Sequence, residues 1–115
     1  MDRRVEQVIA EIEADFARAW ETAQLAEMVN LSASRFRHLF KEETGRTINQ
    51  YLRERRLERA EFLLRTTFLS IKEVMSEAGV TSMSHFVTYF KKRYGRPPTA
   101  YRKQLANFVK HQPFS

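Results

Sequence analysis

Cysteine is absent from the 115 residues, so no disulfide framework or thiolate zinc site can be built, and a reducing, intracellular setting is the easier reading. No run of 18 apolar residues occurs, and the start, Met1-Asp2-Arg3-Arg4, lacks the apolar stretch of a signal peptide. A membrane-spanning helix is therefore excluded and a cytoplasmic setting expected. Glycine and proline number only three each, which leaves long stretches free to be helical. The three histidines, His38, His85 and His111, never share the i, i+4 spacing that sets two ligands on one helix face, so no metal is expected. There is no glycine-rich phosphate loop and no arguable inward carboxylate pair, so neither enzymatic activity nor a cofactor is expected. Acidic side chains stop at Glu77. Beyond it residues 78–115 hold seven basic side chains, whereas residues 1–31 hold three basic and seven acidic ones. The whole chain, with 20 basic and 14 acidic residues, carries +6, and its carboxylate-free end is built to attract a polyanion.

What is present is apolar periodicity of helical type. With 43% hydrophobic and 30% charged residues the chain should fold, and the expected class is all-α with seven helices. Val5, Val8, Ile9, Ile12 and Phe16 make the stripe of a first helix, with Trp20 near its end. A second begins at about Thr22 and presents Leu25, Ala26 and Val29. After the turn Asn30-Leu31, Ser32 caps a third with Phe36, Leu39 and Phe40, and Gly45 ends it. Thr47 caps a fourth helix, Ile48 to about Leu64, whose apolar residues spread over more than one face and can serve two cores. Ser70 caps a fifth with Ile71, Val74, Met75 and Ala78. Gly79-Val80 turns, and Ser82 or Thr81 caps a sixth with Phe86, Tyr89, Phe90 and Tyr94. Gly95 closes that helix, Pro97-Pro98 bars its continuation, and Thr99 caps a last short one carrying Tyr101 and Leu105.

The chain also repeats itself. Phe36, Phe40, Lys41, Gly45, Arg46 and Tyr51 return 50 residues later as Phe86, Phe90, Lys91, Gly95, Arg96 and Tyr101. Before the turn the offset is 49, where Leu25, Val29 and Leu31 answer to Val74, Ala78 and Val80, and Asn30 to Gly79. A short helix, a tight turn and a longer helix, twice in register, is the helix-turn-helix pattern, with Asn30 and Gly79 where positive φ is often needed. Such a second helix fits the major groove of duplex DNA and reads bases near its N-terminus. Two of them meet successive grooves if held about 34 Å apart, and a strut from Ile48 to Leu64 is roughly 25 Å long. One monomer could then do what many repressors need a dimer to do.

The run Leu25-Ala26-Glu27, Leu31-Ser32, Phe36, Leu39-Phe40-Lys41 and Thr44-Gly45, then Tyr51-Leu52, Arg56-Leu57, Ala60 and Leu63-Leu64, resembles the DNA-binding domain of AraC/XylS transcription regulators. So does Ser70-Ile71, Gly79, Ser84-His85-Phe86, Phe90-Lys91-Lys92, Gly95 and Pro98-Thr99-Ala100-Tyr101-Arg102, the last stretch being the family's most specific signature. The resemblance covers roughly residues 5 to 105. It implies a two-lobed, seven-helix fold with a recognition helix in each lobe, a structural role for Arg56, more often activation than repression, and RNA polymerase as a further partner. The sequence departs from the family at Asn30, usually glycine, Met75, usually alanine, Val80, usually phenylalanine, and Thr88, often arginine.

These readings give a first helix-turn-helix subdomain over 1–47, a linker helix over 48–64, a second subdomain over 65–109 and a tail over 110–115. The expected function is sequence-specific binding of double-stranded DNA by a transcription regulator, a monomer on DNA unless a domain outside this chain dimerises it. A small regulator acting alone and the C-terminal part of a longer effector-binding protein both fit. Base contacts are assigned to Ser34, Arg35, Arg37 and His38 in the first lobe and to Met83, Ser84, His85 and Thr88 in the second. Arg37 and His38 are favoured as readers, since arginine can donate two parallel hydrogen bonds to guanine and histidine can donate to purine N7. Phosphate contacts are assigned to Ser32, Lys41 and Arg46, and to Ser82, Lys91, Lys92 and Arg96. The arginines Arg53, Arg55, Arg56 and Arg59, interleaved with Glu54, Glu58 and Glu61, read as a salt-bridged helix surface. The rival class is a helical protein-interaction adaptor, which explains the charge asymmetry but not the doubled motif.

Overall fold

The computed structural model describes residues 1–110, with side chains to Asn107; the expected tail beyond, including His111, lies outside the described residues. Seven helices follow in order: α1 (Arg3–Ala14), α2 (Thr22–Met28), α3 (Ala33–Thr44), α4 (Ile48–Thr66), α5 (Ile71–Ala78), α6 (Met83–Tyr94) and α7 (Pro98–Lys110). No strand occurs among the described residues. The chain divides into two compact units, Met1–Arg56 and Leu57–Ser115.

In the first unit Val5, Val8 and Ile12 of α1 close over Leu25 and Ala26 of α2 and Phe36 and Phe40 of α3, with Ile48 and Leu52 from the start of α4. In the second, Leu57, Ala60, Leu63 and Leu64 from the rest of α4 cover Val74 and Ala78 of α5 and Phe86 and Phe90 of α6. The spread of apolar residues over α4 thus has a simple cause: each half of the helix supplies a different core. The phenylalanine pairs pack alike, Phe36 against Phe40 at 5.8 Å and Phe86 against Phe90 at 5.6 Å. Each pair meets the repeated tyrosine edge-on, Phe40 with Tyr51 and Phe90 with Tyr101. All four rings are essentially fully buried, so truncating any one to alanine should cost about 3–5 kcal/mol.

Local chemistry fixes the ends. The Ser32, Ser70 and Ser82 hydroxyls accept the N–H of Arg35, Glu73 and His85, the N-cap bond that satisfies an otherwise orphaned donor. Ser70 and Glu73 complete a reciprocal box, as do Thr47 and Gln50 at the start of α4. Both helix-turn-helix corners take left-handed backbone, Asn30 at φ 58° and Gly79 at φ 79°. Asparagine tolerates that region, and so the departure from glycine is accommodated.

Three expectations need correction. The first helix stops at Ala14, so Phe16 and Trp20 are loop residues; they still pack on the first core, and the Trp20 indole donates to the Asp15 carbonyl at 2.7 Å. The linker helix runs on to Thr66. Thr99 is not a cap: the last helix starts at Pro98, whose fixed φ suits the first helical position and whose missing N–H costs nothing there, and it is 13 residues long rather than short.

The loops after α1 and α4 are clamped by arginines. Arg56 donates to the carbonyls of Phe16 (3.0 Å) and Arg18 (2.7 Å), and Arg102 to those of Leu64, Thr67 and Leu69. Burial pulls the Arg56 pKa below the usual guanidinium value, a cost those two bonds offset.

Candidate nucleic-acid interface

Because Phe36 and Phe40, with Leu39 beside them, turn inward, the opposite face of α3 meets water. Ser34, Arg35, Arg37, His38 and Lys41 are all exposed, and the Ser32 cap lies at the same end. No ion pair engages Arg35, Arg37 or Lys41 among the described residues, which leaves three cations uncompensated on one short helix. The ridge is flanked by two hollows. One, about 320 Å³, is lined by Arg37, His38 and Lys41 together with Thr22, Thr47, Ile48 and Asn49. The other, about 240 Å³, is lined by Ser34, Arg35 and His38 with Arg4 and Glu42. His38 borders both.

In the second unit α6 is built the same way. Phe86 and Phe90 point inward, while Met83, Ser84, His85 and Thr88 are exposed, Met83 at 43%. The His85 ring lies edge-on to Tyr89 at 6.2 Å. Lys91 and Lys92 are exposed in the last turn, where positive charge complements the helix dipole, and Arg96 follows the left-handed Gly95. Arg93 of the same turn is held by Glu58 at 3.0 Å. Ser32 and Ser82 use their oxygens as caps, but a hydroxyl that accepts can still donate its own proton to a phosphate.

Arg46 stands apart from the other cations assigned to phosphate. Its guanidinium is ion-paired with Glu54 at 2.6 Å. The linker acids do form salt bridges, Glu54 with Arg46, Glu58 with Arg93, and Glu61 with Arg65 on its own helix. Glu13 of α1 gathers the Tyr51 hydroxyl at 2.6 Å and both Arg55 nitrogens at 2.7 Å, and the Arg55 bonds above all hold its carboxyl below the usual pKa. In the second unit Glu61 accepts from Tyr101 at 2.8 Å; burial, with that bond second, pushes the phenol up to about 12. These clusters tie α4 to α1 in the first unit and to α7 in the second.

Sequence reasoning missed Thr22, Thr47, Asn49 and Arg4 as neighbours of the reading ridge. Their signal was faint: Thr22 and Thr47 stand at helix starts, and only packing brings them beside Lys41. His38 and His85 are each on the outward face of a different helix, and among the described residues no group of acids and histidines could hold a metal ion.

Two capped, outward-basic helices, each braced by a shorter helix through a tight left-handed corner, define a double helix-turn-helix protein of the DNA-binding class. A helix-turn-helix domain family model matches residues 25–104. The chain is 39% identical over 79 residues to the xylose operon regulatory protein of Escherichia coli K12, covering 69% of this chain and 20% of that protein. The crystal structure of the AdpA DNA-binding domain in complex with a target DNA superposes with a TM-score of 0.85 at 25% identity, covering 95% of this chain and 98% of that one. An AraC-type regulator from Chromobacterium violaceum gives 0.77 at 27% identity, covering 96% and 95%. The chain belongs to the AraC/XylS family of transcription regulators and corresponds to its DNA-binding domain. That family consists of regulators rather than enzymes. The chain spans between 20% and 37% of the length of curated relatives it matches. No helix among the described residues is long and apolar enough to cross a membrane.

Proposed function

We propose that this protein regulates transcription by reading double-stranded DNA with α3 and α6, each laid in one of two successive major grooves on one duplex face. Arg37 and His38 are its principal base readers, with Ser34 and Arg35 beside them; Met83, Ser84, His85 and Thr88 meet bases in the second groove. Ser32, Lys41, Arg46, Ser82, Lys91, Lys92 and Arg96 hold the phosphates. The observation that carries this reading is the basic ridge of α3, whose Arg35, Arg37 and Lys41 make no ion pair among the described residues, backed by fully buried phenylalanines and edged by two hollows. A relative of the same fold, in complex with a target DNA, supports it. The protein acts as a monomer on DNA in the cytoplasm, at the nucleoid. It is an activator that touches RNA polymerase, as the family resemblance implies.

Selection of bound duplexes from a random pool, followed by hydroxyl-radical footprinting, tests the proposal. The expected site has two protected patches on one face, centred about 10 base pairs apart, with no palindrome. An inverted repeat holding two chains would overturn the monomer reading, and an absence of any selected duplex would favour the protein-interaction adaptor.

A further inference from the structure

The two units repeat an arginine at the same place, Arg46 and Arg96, each directly after the left-handed glycine that ends a reading helix. They differ at the repeat position from which Arg46 takes its partner. Three residues after the repeated tyrosine, the first unit has Glu54 and the second has Gln104. Glu54 grips Arg46 at 2.6 Å, with the two side chains 33% and 53% exposed. Arg96 has no carboxylate partner among the described residues. The pair is therefore a natural comparison between one phosphate-seeking cation under restraint and one without it.

We propose that Glu54 competes with DNA phosphate for Arg46 and so sets the strength of the first unit's sequence-independent grip. This rests on the duplex-reading function above. A cation already paired with a carboxylate must give up that partner to bind a phosphate, so its gain on any duplex is smaller. The loss falls on every sequence alike, because phosphate carries no base identity. Base-edge contacts from α3 then supply a larger share of the first unit's affinity, while the ratio between a preferred site and random DNA is unchanged. In the second unit, where Ser84 and Thr88 offer only short hydroxyls, Arg96 binds phosphate without competition and supplies affinity.

The test measures affinity for a selected site and for random duplex across a salt series, for wild type, E54Q, Q104E, and E11Q as a control of equal charge change on the exposed face of α1. E54Q is expected to tighten binding to the selected site and to random duplex alike, about threefold to fivefold, the scale of an exposed ion pair, and to steepen the log–log salt slope by up to about 0.9. It should leave the ranking of single-base site variants unchanged. Q104E should shift the slope the opposite way. In an R46Q background E54Q should do no more than E11Q does, which isolates the coupling between the two residues. If E54Q matches E11Q in the wild-type background, the competition is refuted while DNA reading stands. If wild type itself binds no duplex, the functional proposal fails first.

Discussion

Replacing Arg56 with alanine removes the fork that ties α4 to the loop after α1, and the structure sets the size of the effect. The guanidinium makes two hydrogen bonds, to the partly buried Phe16 carbonyl at 3.0 Å and to the more exposed Arg18 carbonyl at 2.7 Å. A bond to a charged group contributes about 1.5–3 kcal/mol. Water can replace the donor at Arg18 but less easily at Phe16, so the expected loss is about 2–3 kcal/mol. At about 2.1 cal/mol/K of unfolding entropy per residue, that lowers Tm by about 8–12 °C if the whole chain melts together. Trp20 makes the assay local: its ring lies under the Arg18 guanidinium at 4.6 Å and its indole binds the Asp15 carbonyl. Urea unfolding followed by tryptophan fluorescence and by far-ultraviolet circular dichroism should both show the drop. Arg56→Lys should recover less than half, since an ammonium cannot span two carbonyls in a planar fork. A loss below 0.5 kcal/mol, or full rescue by lysine, would refute the clamp.

Arg37→Ala should cost about 1–3 kcal/mol on the preferred duplex and relax the choice at one base pair, whereas Lys91→Ala should weaken all duplexes alike and lower the salt slope by about one unit. Titration against a panel of single-base variants distinguishes the two; uniform loss for Arg37→Ala would reassign it to the backbone. Stability should fall at both ends of the pH range. The lowered Glu13 pKa gives stability that is present above the unfolded carboxyl value of about 4.5 and lost as pH drops through the folded value; the raised Tyr101 pKa gives stability present below about 10 and lost as pH rises toward about 12. Urea midpoints across pH should show the acid-side loss reduced in Glu13→Gln and the alkaline loss reduced in Tyr101→Phe.

The helices were legible because their signals are local. Ser32, Ser70 and Ser82 precede apolar periodic runs and cap them, and the glycines at 45 and 95 end helices where a left-handed residue is needed. The errors came where a local rule met a tertiary one. Phe16 and Trp20 extend the helical rhythm of α1, but Asp15 leaves helical backbone at φ −157°, and both aromatics reach the same core from a loop. Thr99 looks like a cap beside a double proline, yet Pro98 is itself a competent first helical residue. The ion pairs were legible only in part: the linker acids read as salt-bridged, but Glu13 meets partners 38 and 42 residues away, a distance that no periodicity encodes.

The outward set on each reading helix was legible for a different reason. Once Phe36 and Phe40, or Phe86 and Phe90, are fixed inward, helical geometry leaves few other faces for Arg37 or Thr88. The scaffolds of the two units are near copies in their phenylalanine pairs, tyrosine contacts and caps, so differences in reading power must arise from the side chains set upon them. Arg37 can make a bidentate contact with guanine at the end of a long stem. Ser84 and Thr88 offer single hydroxyls on short ones, which discriminate bases weakly. Under the proposed function each unit's cations complement its readers: the first has Arg37 to reach a base and Arg46 paired with Glu54, and the second has the short hydroxyls of Ser84 and Thr88 with Lys91, Lys92 and Arg96 unpaired with carboxylates among the described residues. On that logic, base changes in the half-site under α3 should cost more than changes under α6. Salt should act most strongly through the second unit's cations.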